Sequence, residues 1–136
     1  MRKNNAFSLI ELMIVILIIG ILVAIAMPNY SRSLERAKCS QAMHILKDMR
    51  SAGFTYFANN AIFPVLETDL EDEVGANFYA DDSNPDWTFS ITTGTATAFV
   101  VQAARQGGPH SGQPITITDN PTSSELWSGA YPRDNP

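Results

Sequence analysis

An uncharged apolar run near the N-terminus constrains this chain more than any other feature. From Leu12 to Met27 the sequence reads LMIVILIIGILVAIAM, without a charged side chain. Extended back to Phe7, the segment as an α-helix spans roughly 30 Å, the thickness of the hydrocarbon core of a bilayer. Glu11 stands inside this extended segment. Because an ionisable side chain within such a segment is costly, it usually marks a function.

Two conventional interpretations of this segment are open. A cleaved secretory signal would use the basic Arg2 and Lys3, the apolar core, and the small residues of Ala24–Ala26 as its cleavage pattern. The carboxylate of Glu11 and the length of the core argue against a signal. A single-pass membrane anchor has a suitable length, but basic side chains flank the segment on both sides, so the charge rule gives little orientation.

A third interpretation rests on the local motif. Residues 6–30 read AFSLIELMIVILIIGILVAIAMPNY. This stretch resembles the N-terminus of type IV pilins and of the related pseudopilins of type II secretion, in which a short basic leader is cut before a Phe within the pattern Gly-Phe-Thr-Leu-Ile-Glu-Leu. Two positions differ from that pattern: Ala6 stands where the family usually has Gly, and Ser8 where Thr is common. The combination of leader, Phe, Glu, Gly20 and Pro28 favours this interpretation.

The resemblance implies a processing pathway. A prepilin peptidase would cut between Ala6 and Phe7 and would methylate the new amine of Phe7, so that residues 1–6 are a cytoplasmic leader that is removed. The apolar helix, residues 7–28, would stay in the inner membrane until assembly and then become the core of a filament of identical subunits. The implied partners are an inner-membrane assembly platform with its ATPases and, in a Gram-negative cell, an outer-membrane secretin.

Glu11 gains a partner in this scheme. After the cut, the amine of Phe7 lies about one turn from Glu11 and is cationic at neutral pH, since the reference pKa of such an amine is about 8. The pair could form within a subunit or between neighbours, and the family implies the second, which would set the register of the filament. The alternative is a carboxylate that reaches the membrane surface. Gly20 and Pro28 lower helix stability, so we expect a kink or local melting between them.

The rest of the chain predicts an α+β fold of pilin-like layout, with one long N-terminal helix packed on a small antiparallel sheet. The helix should continue through an amphipathic half, residues 29–59. We predict that its core-facing stripe comprises Tyr30, Leu34, Ala37, Gln41, Ile45, Met49, Ala52 and Tyr56. The remaining residues, 60–136, should form a globular head with an acidic loop over 65–86. Three strands are predicted, in DWTFSIT, TATAFVVQAAR and QPITITD, and the C-terminal tail is predicted to be irregular, with Trp127 and Tyr131 holding it to the head.

Charge and the scarcity of chemically active side chains restrict the function. The head carries eleven acidic and two basic side chains, and the chain has a net charge of −5. We therefore expect no nucleic-acid binding through the acidic head. His44, His110 and Cys39 form no recognisable catalytic or metal pattern, so we expect no enzyme activity, no cofactor and no specific metal site; Cys39 is read as a buried structural thiol rather than an intermolecular bridge.

Function hypotheses from two classes follow. The leading one is a structural subunit that polymerises through its N-terminal helix into a type IV pilus-like filament for adhesion, twitching motility or DNA uptake. A pseudopilin of a type II secretion system is a close alternative. A small binding module, secreted or anchored in the membrane through a conventional signal, is the alternative from the other class.

Overall fold

The structure, a computed structural model, describes residues 7–70, 84, 86–120 and 123–132. The chain divides into two compact units, Met1–Glu35 and Arg36–Pro136. In the first unit the described residues form the first part of helix α1, which runs from Leu9 to Asn60 over 52 residues. The predicted long helix is therefore confirmed. Helix α1 contains one segment that could cross a membrane by its length and composition.

The described part of the second unit contains an antiparallel sheet in addition to the later part of α1. Its strands are β1 (Trp87–Gly94), β2 (Phe99–Arg105), β3 (Pro114–Asn120) and β4 (Ser123–Ser128), and they lie side by side in chain order. The alternation of buried and half-buried residues along β2 is the pattern of a strand with one face on a core. The three predicted strands are confirmed, and so is the α+β class.

The fourth strand corrects the prediction of an irregular tail. In β4, Trp127 lies opposite Ile117 and Ser128 lies opposite Thr116 of β3. Trp127 is half-buried whereas Leu126 is exposed. The alternation of apolar and polar residues in this strand is therefore too short and weak to predict it from the sequence. Pairing with β3 creates this strand. The predicted role of Tyr131 in holding the tail is confirmed, because its ring is buried and packs edge-on against Trp87 at 5.0 Å.

The core of the second unit lies between α1 and one face of the sheet. Its buried apolar residues are Cys39, Ala42, Leu46, Met49, Ala52, Phe63, Leu70, Trp87, Phe89, Phe99, Val101, Ala103, Ile115, Ile117 and Tyr131. The predicted helix stripe is right for Met49 and Ala52, and Ile45 and Tyr56 are half-buried. It is wrong for four residues, which are exposed: Tyr30, Leu34, Ala37 and Gln41.

Small residues explain the difference between the predicted stripe and the observed one. The sheet-facing side of α1 presents Cys39, Ala42 and Gly53, which allow the sheet to approach the helix backbone. A Cβ on Gly53 would lie 2.3 Å from the ring of Phe99, a distance that no packed side chain tolerates. Phe99 in turn stacks on Phe63 at 5.0 Å. Close packing, rather than residue hydrophobicity alone, selects the buried side.

The predicted acidic loop over 65–86 lies partly outside the described residues. A helical turn occupies 68–70, and residues 71–83 and 85 lie outside the described part of the chain. Asn84 and Asp86, at the predicted end of the loop, are among the described residues. Between β2 and β3, Gly107 and Gly112 adopt the left-handed conformations (φ 69° and 78°) that favour glycine.

The end of α1 suggests a stabilising substitution. Ala61 follows the helix with φ 58°, and its N–H donates to the carbonyl of Phe57 at 2.8 Å, the arrangement of a left-handed C-terminal cap. Because this conformation is unfavourable for alanine, we expect Ala61→Gly to raise the free energy of unfolding by about 1 kcal/mol. Denaturant titration of the full chain in detergent measures the change.

Ala37→Gly is the matched control. Ala37 is exposed inside the same helix, where the identical replacement should lower stability by about 1 kcal/mol. A loss of stability in both variants would contradict the assigned role of Ala61.

Candidate assembly site

The start of α1 shows how Glu11 is held. Ser8 precedes the first helical residue, and its carbonyl accepts the first helical hydrogen bond, from the N–H of Leu12 at 3.2 Å. The N–H of Ser8 donates to Oε2 of Glu11 at 2.9 Å. Ser8 and Glu11 therefore occupy the first and last positions of a Ser-x-x-Glu capping box, in which a carboxylate satisfies a backbone donor that the helix leaves unpaired.

Sequence reasoning missed this role of Ser8. In the resemblance to pilins, Ser8 is only a replacement for the family's Thr, and Glu11 is only a charge in an apolar segment. The spacing of the pair was a sufficient signal, because a Ser followed three residues later by Glu and by an apolar run is the sequence signature of a helix start. The structure places Phe7 directly before this cap with its side chain exposed, and Ala6 lies outside the described residues.

The apolar residues after Glu11 have no cover within the described part of the chain. Every described residue of the first unit up to Leu34 is exposed, including the side chains of Ile10, Ile16 and Leu22. An apolar surface of this extent on all sides of a helix is typical of a segment that lies in a membrane or among other subunits. This surface, residues 7–28, is referred to below as the apolar helix segment.

Helix α1 continues without interruption through Gly20 and Pro28. Nothing lies within 4 Å of the place where a Cβ on Gly20 would stand, so this glycine is not required by packing within the chain. Beyond Pro28, the hydroxyl of Ser31 donates to the carbonyl of Pro28 at 3.1 Å, and that of Ser33 donates to the carbonyl of Asn29 at 2.9 Å. The expected kink or melting at Gly20 and Pro28 stays a prediction for the assembled state.

The second unit contains an ionic cluster that sequence reasoning did not identify. Asp86 Oδ1 accepts hydrogen bonds from Lys38 Nζ of α1 at 2.8 Å and from Arg105 Nη1 of β2 at 3.0 Å. The same Nη1 also donates to the carbonyls of Asp86 and Gln106. The guanidinium is buried and lies over the ring of Trp87, 5.6 Å from its centroid. This cluster ties the end of the acidic loop to the helix and the sheet.

The cluster changes the titration of its carboxylate. The hydrogen bond from Lys38, together with the positive charges of Lys38 and Arg105, holds the pKa of Asp86 below its ordinary value, although burial acts in the opposite direction. The charged form of Asp86 is therefore favoured in the folded protein. A second link joins α1 to the sheet, because the guanidinium of Arg50 donates through two nitrogens to the buried carboxylate of Asp119.

Among the described residues, the other side chains that could act in catalysis or metal binding lie apart from one another. The described residues contain no group of three or more His, Cys, Asp or Glu side chains that could hold a metal ion. His44 Nδ1 lies 3.0 Å from Asp48 on the exposed side of α1, and His110 Nδ1 lies 3.1 Å from the side chain of Gln113. Cys39 is buried in the core, as expected of a structural thiol.

Comparisons with known proteins agree with the helix start and the fold. Residues 1–27 match the prokaryotic N-terminal methylation motif. Residues 28–113 match the family described as type IV minor pilin ComP, DNA uptake sequence receptor. The second match covers more than half of the chain. The chain therefore belongs to the type IV pilin family, through the minor-pilin domain of that description.

Named relatives are pilins as well. The type IV major pilin protein PilA of Myxococcus xanthus is 32% identical over 118 residues, which are 87% of this chain and 50% of that protein. A type IV major pilin protein PilE1 of Neisseria gonorrhoeae is 30% identical over 148 aligned positions, covering 93% of this chain and 86% of that protein. Fimbrial protein EcpC of Eikenella corrodens is 43% identical over 63 residues.

Coverage of the relatives is uneven. The chain spans half of the length of the Myxococcus pilin, and 36% and 28% of two Neisseria gonorrhoeae pilins that it matches over 61 residues. The matches support a pilus subunit whose apolar N-terminal helix allows membrane anchoring. They also confirm the resemblance on which the sequence-based interpretation rested.

The Asp86 cluster makes stability dependent on pH. We expect Asp86→Asn to lower the free energy of unfolding by about 2 kcal/mol at pH 7, because the neutral side chain no longer interacts as an anion with Lys38 and the buried Arg105. Since the folded-state pKa of Asp86 is lowered, its contribution is present above its unfolded pKa, near 4, and is lost as the pH falls through the folded-state value. The difference between variant and wild type should therefore shrink at low pH.

Urea titrations of the full chain in detergent at pH 7 and pH 2 measure this difference. Asp48→Asn is the control, because its carboxylate pairs with an exposed His44 and should change stability by less than about 0.5 kcal/mol. A deficit in Asp86→Asn that is equal at both pH values would contradict the ionic role.

Proposed function

We propose that this chain is a filament subunit that is processed before Phe7 and polymerises through its N-terminal helix. Residues 1–6 are the cytoplasmic leader, 7–28 the membrane and filament-core helix, 29–59 the amphipathic half, and 60–136 the head. Family membership supports a pilus subunit, and the match of residues 1–27 to the methylation motif supports cleavage after Ala6 and methylation of Phe7.

The observation that carries the proposal is an uncovered apolar helix segment with one carboxylate at its start. The segment needs an apolar environment, which the inner membrane supplies to a single-pass subunit and other subunits supply in a filament. Glu11 then needs a cation, and cleavage creates one in the amine of Phe7. Pairing of Glu11 with the amine of a neighbouring subunit fixes the axial register of the filament.

The proposed partners follow from this cycle. A prepilin peptidase removes the leader, an inner-membrane platform with its ATPases extracts the subunit, and a secretin passes the filament through an outer membrane where the cell has one. The product is a surface pilus, or a periplasmic pseudopilus in the alternative function as a type II secretion pseudopilin. No step requires an enzyme activity, cofactor or metal site of the chain itself, and Gly20 and Pro28 provide the place where the helix bends or melts on assembly.

N-terminal sequencing of the mature protein tests the processing step. We expect a chain that begins with methylated Phe7 followed by Ser8 and Leu9, because the cut creates the amine that Glu11 requires. Edman degradation or mass spectrometry of the purified subunit reads the sequence. A mature chain that begins with Met27 would show conventional signal cleavage and would support the secreted binding module instead.

The type of filament is a separate question that microscopy and deletion strains address. Long filaments in the material sheared from cells support a pilus. The absence of such filaments, together with a secretion defect in a strain that lacks this chain, supports the pseudopilin.

The minor-pilin family is described as a DNA uptake sequence receptor, which favours DNA uptake among the filament's uses. Arg105, the one basic side chain in the described part of the head, is buried and paired with Asp86, so we place no DNA contact on the acidic head.

Glu11→Ala tests the role of the carboxylate. We expect normal cleavage before Phe7 but at least about a tenfold loss of subunits in filaments, because a neighbour's amine has lost its counter-ion. Immunoblots of the sheared and membrane fractions measure both quantities. Asp48→Ala, which removes an exposed carboxylate from the same helix, should assemble normally, and wild-type filament yield from Glu11→Ala would overturn the proposed pairing.

A further inference from the structure

The capping bond gives Glu11 a partner before any neighbouring subunit is present. Its Oε2 atom accepts the N–H of Ser8 at 2.9 Å within one chain. The side chain is thereby turned towards the chain start, the direction in which helical side chains lean in any case. Each carboxylate oxygen can accept more than one hydrogen bond, so the carboxylate retains acceptor capacity, above all at Oε1, for a further donor.

This bond is compatible with processing. Cleavage between Ala6 and Phe7 leaves the peptide bond between Phe7 and Ser8 intact, so the N–H of Ser8 remains an amide donor in the mature chain. The new amine belongs to the residue just before this donor. The carboxylate of Glu11 thus keeps the N–H of Ser8 as a donor from its own chain before and after cleavage. In the proposed pairing it also receives the cationic amine of Phe7 from a neighbouring subunit.

The membrane makes the bond more important than it would be in water. Backbone N–H groups at a helix start have no helical partner, and hydrocarbon offers none. The carboxylate of Glu11 satisfies one of these donors, and it lies at the positive end of the helix dipole, which favours a negative charge. Glu11 is therefore stabilised in the isolated subunit by the start of its own helix.

We propose that Glu11 has two separable roles: it caps α1 through Ser8 in the single subunit, and the cap holds its carboxylate in position for the amine of a neighbouring subunit. The first role needs only an acceptor oxygen on a side chain of this length, whereas the second also needs the negative charge. The second role rests on the proposed function; the first does not.

Hydrogen exchange at the Ser8 amide tests the cap. The sample is the ¹⁵N-labelled mature chain, which begins at Phe7, in detergent micelles, observed by NMR. We expect the Ser8 amide of the wild type to exchange at least about tenfold more slowly than that of Glu11→Ala. Glu11→Gln keeps an acceptor oxygen and should retain most of this protection. The amides of Leu9 and Ile10, also at the helix start, report shielding by the micelle and should not differ among the variants.

Two results would overturn the cap. One is equally fast exchange of the Ser8 amide in the wild type and Glu11→Ala. The other is exchange in Glu11→Gln that is as fast as in Glu11→Ala.

Filament yield tests the positioning role. Glu11→Asp keeps the charge but shortens the side chain by one methylene, so we expect it to lose Ser8 protection and to assemble several-fold less well than the wild type. Glu11→Gln should keep the cap and fail to assemble. Wild-type yield from Glu11→Asp despite an unprotected Ser8 would overturn the positioning role. Wild-type yield from Glu11→Ala would instead overturn the proposed pairing, and the exchange data would still decide the cap.

Discussion

The close contact between the later part of α1 and the sheet is the constraint on which the fold of the second unit depends. It is possible because the helix presents small side chains, among them Ala42 and Gly53, where a strand residue must approach its backbone. Phe99 fills the space next to Gly53 and continues through Phe63 into a stack of rings that includes Phe57. A larger residue at position 53 would displace this stack, and the sheet with it.

Ionic links complete this contact where apolar packing ends. Lys38 and Arg50 extend from half-buried positions of α1 and reach carboxylates at Asp86, just before β1, and at Asp119, near the end of β3. The sheet is therefore held to the helix at two places in addition to the core. Because Arg105 is buried beside Asp86, removal of that carboxylate would take an ionic interaction from a cation in a poorly solvated place, a larger cost than the loss of a surface pair.

The sequence predicted those features that depend on local pattern. Trp87 and Phe89 alternate along β1 as expected, and the fold class follows from one long helix and three clear strands. The ionic links between α1 and the sheet could not be predicted from local pattern, since Lys38 and Asp86 are 48 residues apart in the sequence. β4 was missed because pairing, rather than its own alternation, defines it. The cap at Ser8, by contrast, is predictable, since a Ser followed three residues later by Glu is a local motif.

The apolar helix segment limits what can direct assembly. Sixteen of its large apolar side chains are exposed, far more than a soluble monomer leaves uncovered. Lipid tails, however, are as apolar as these side chains, so moving the segment from lipid into contact with other subunits gives little net hydrophobic gain. Apolar contacts therefore keep the segment out of water but define neither direction nor register. Two features remain that can define direction and register. One is close packing of a neighbouring subunit at Gly20, which has no side chain and is open on its surface, and the other is the carboxylate of Glu11. Of these two, only the carboxylate distinguishes one end of the segment from the other by charge, and its bond to Ser8 gives that charge a fixed place on the helix.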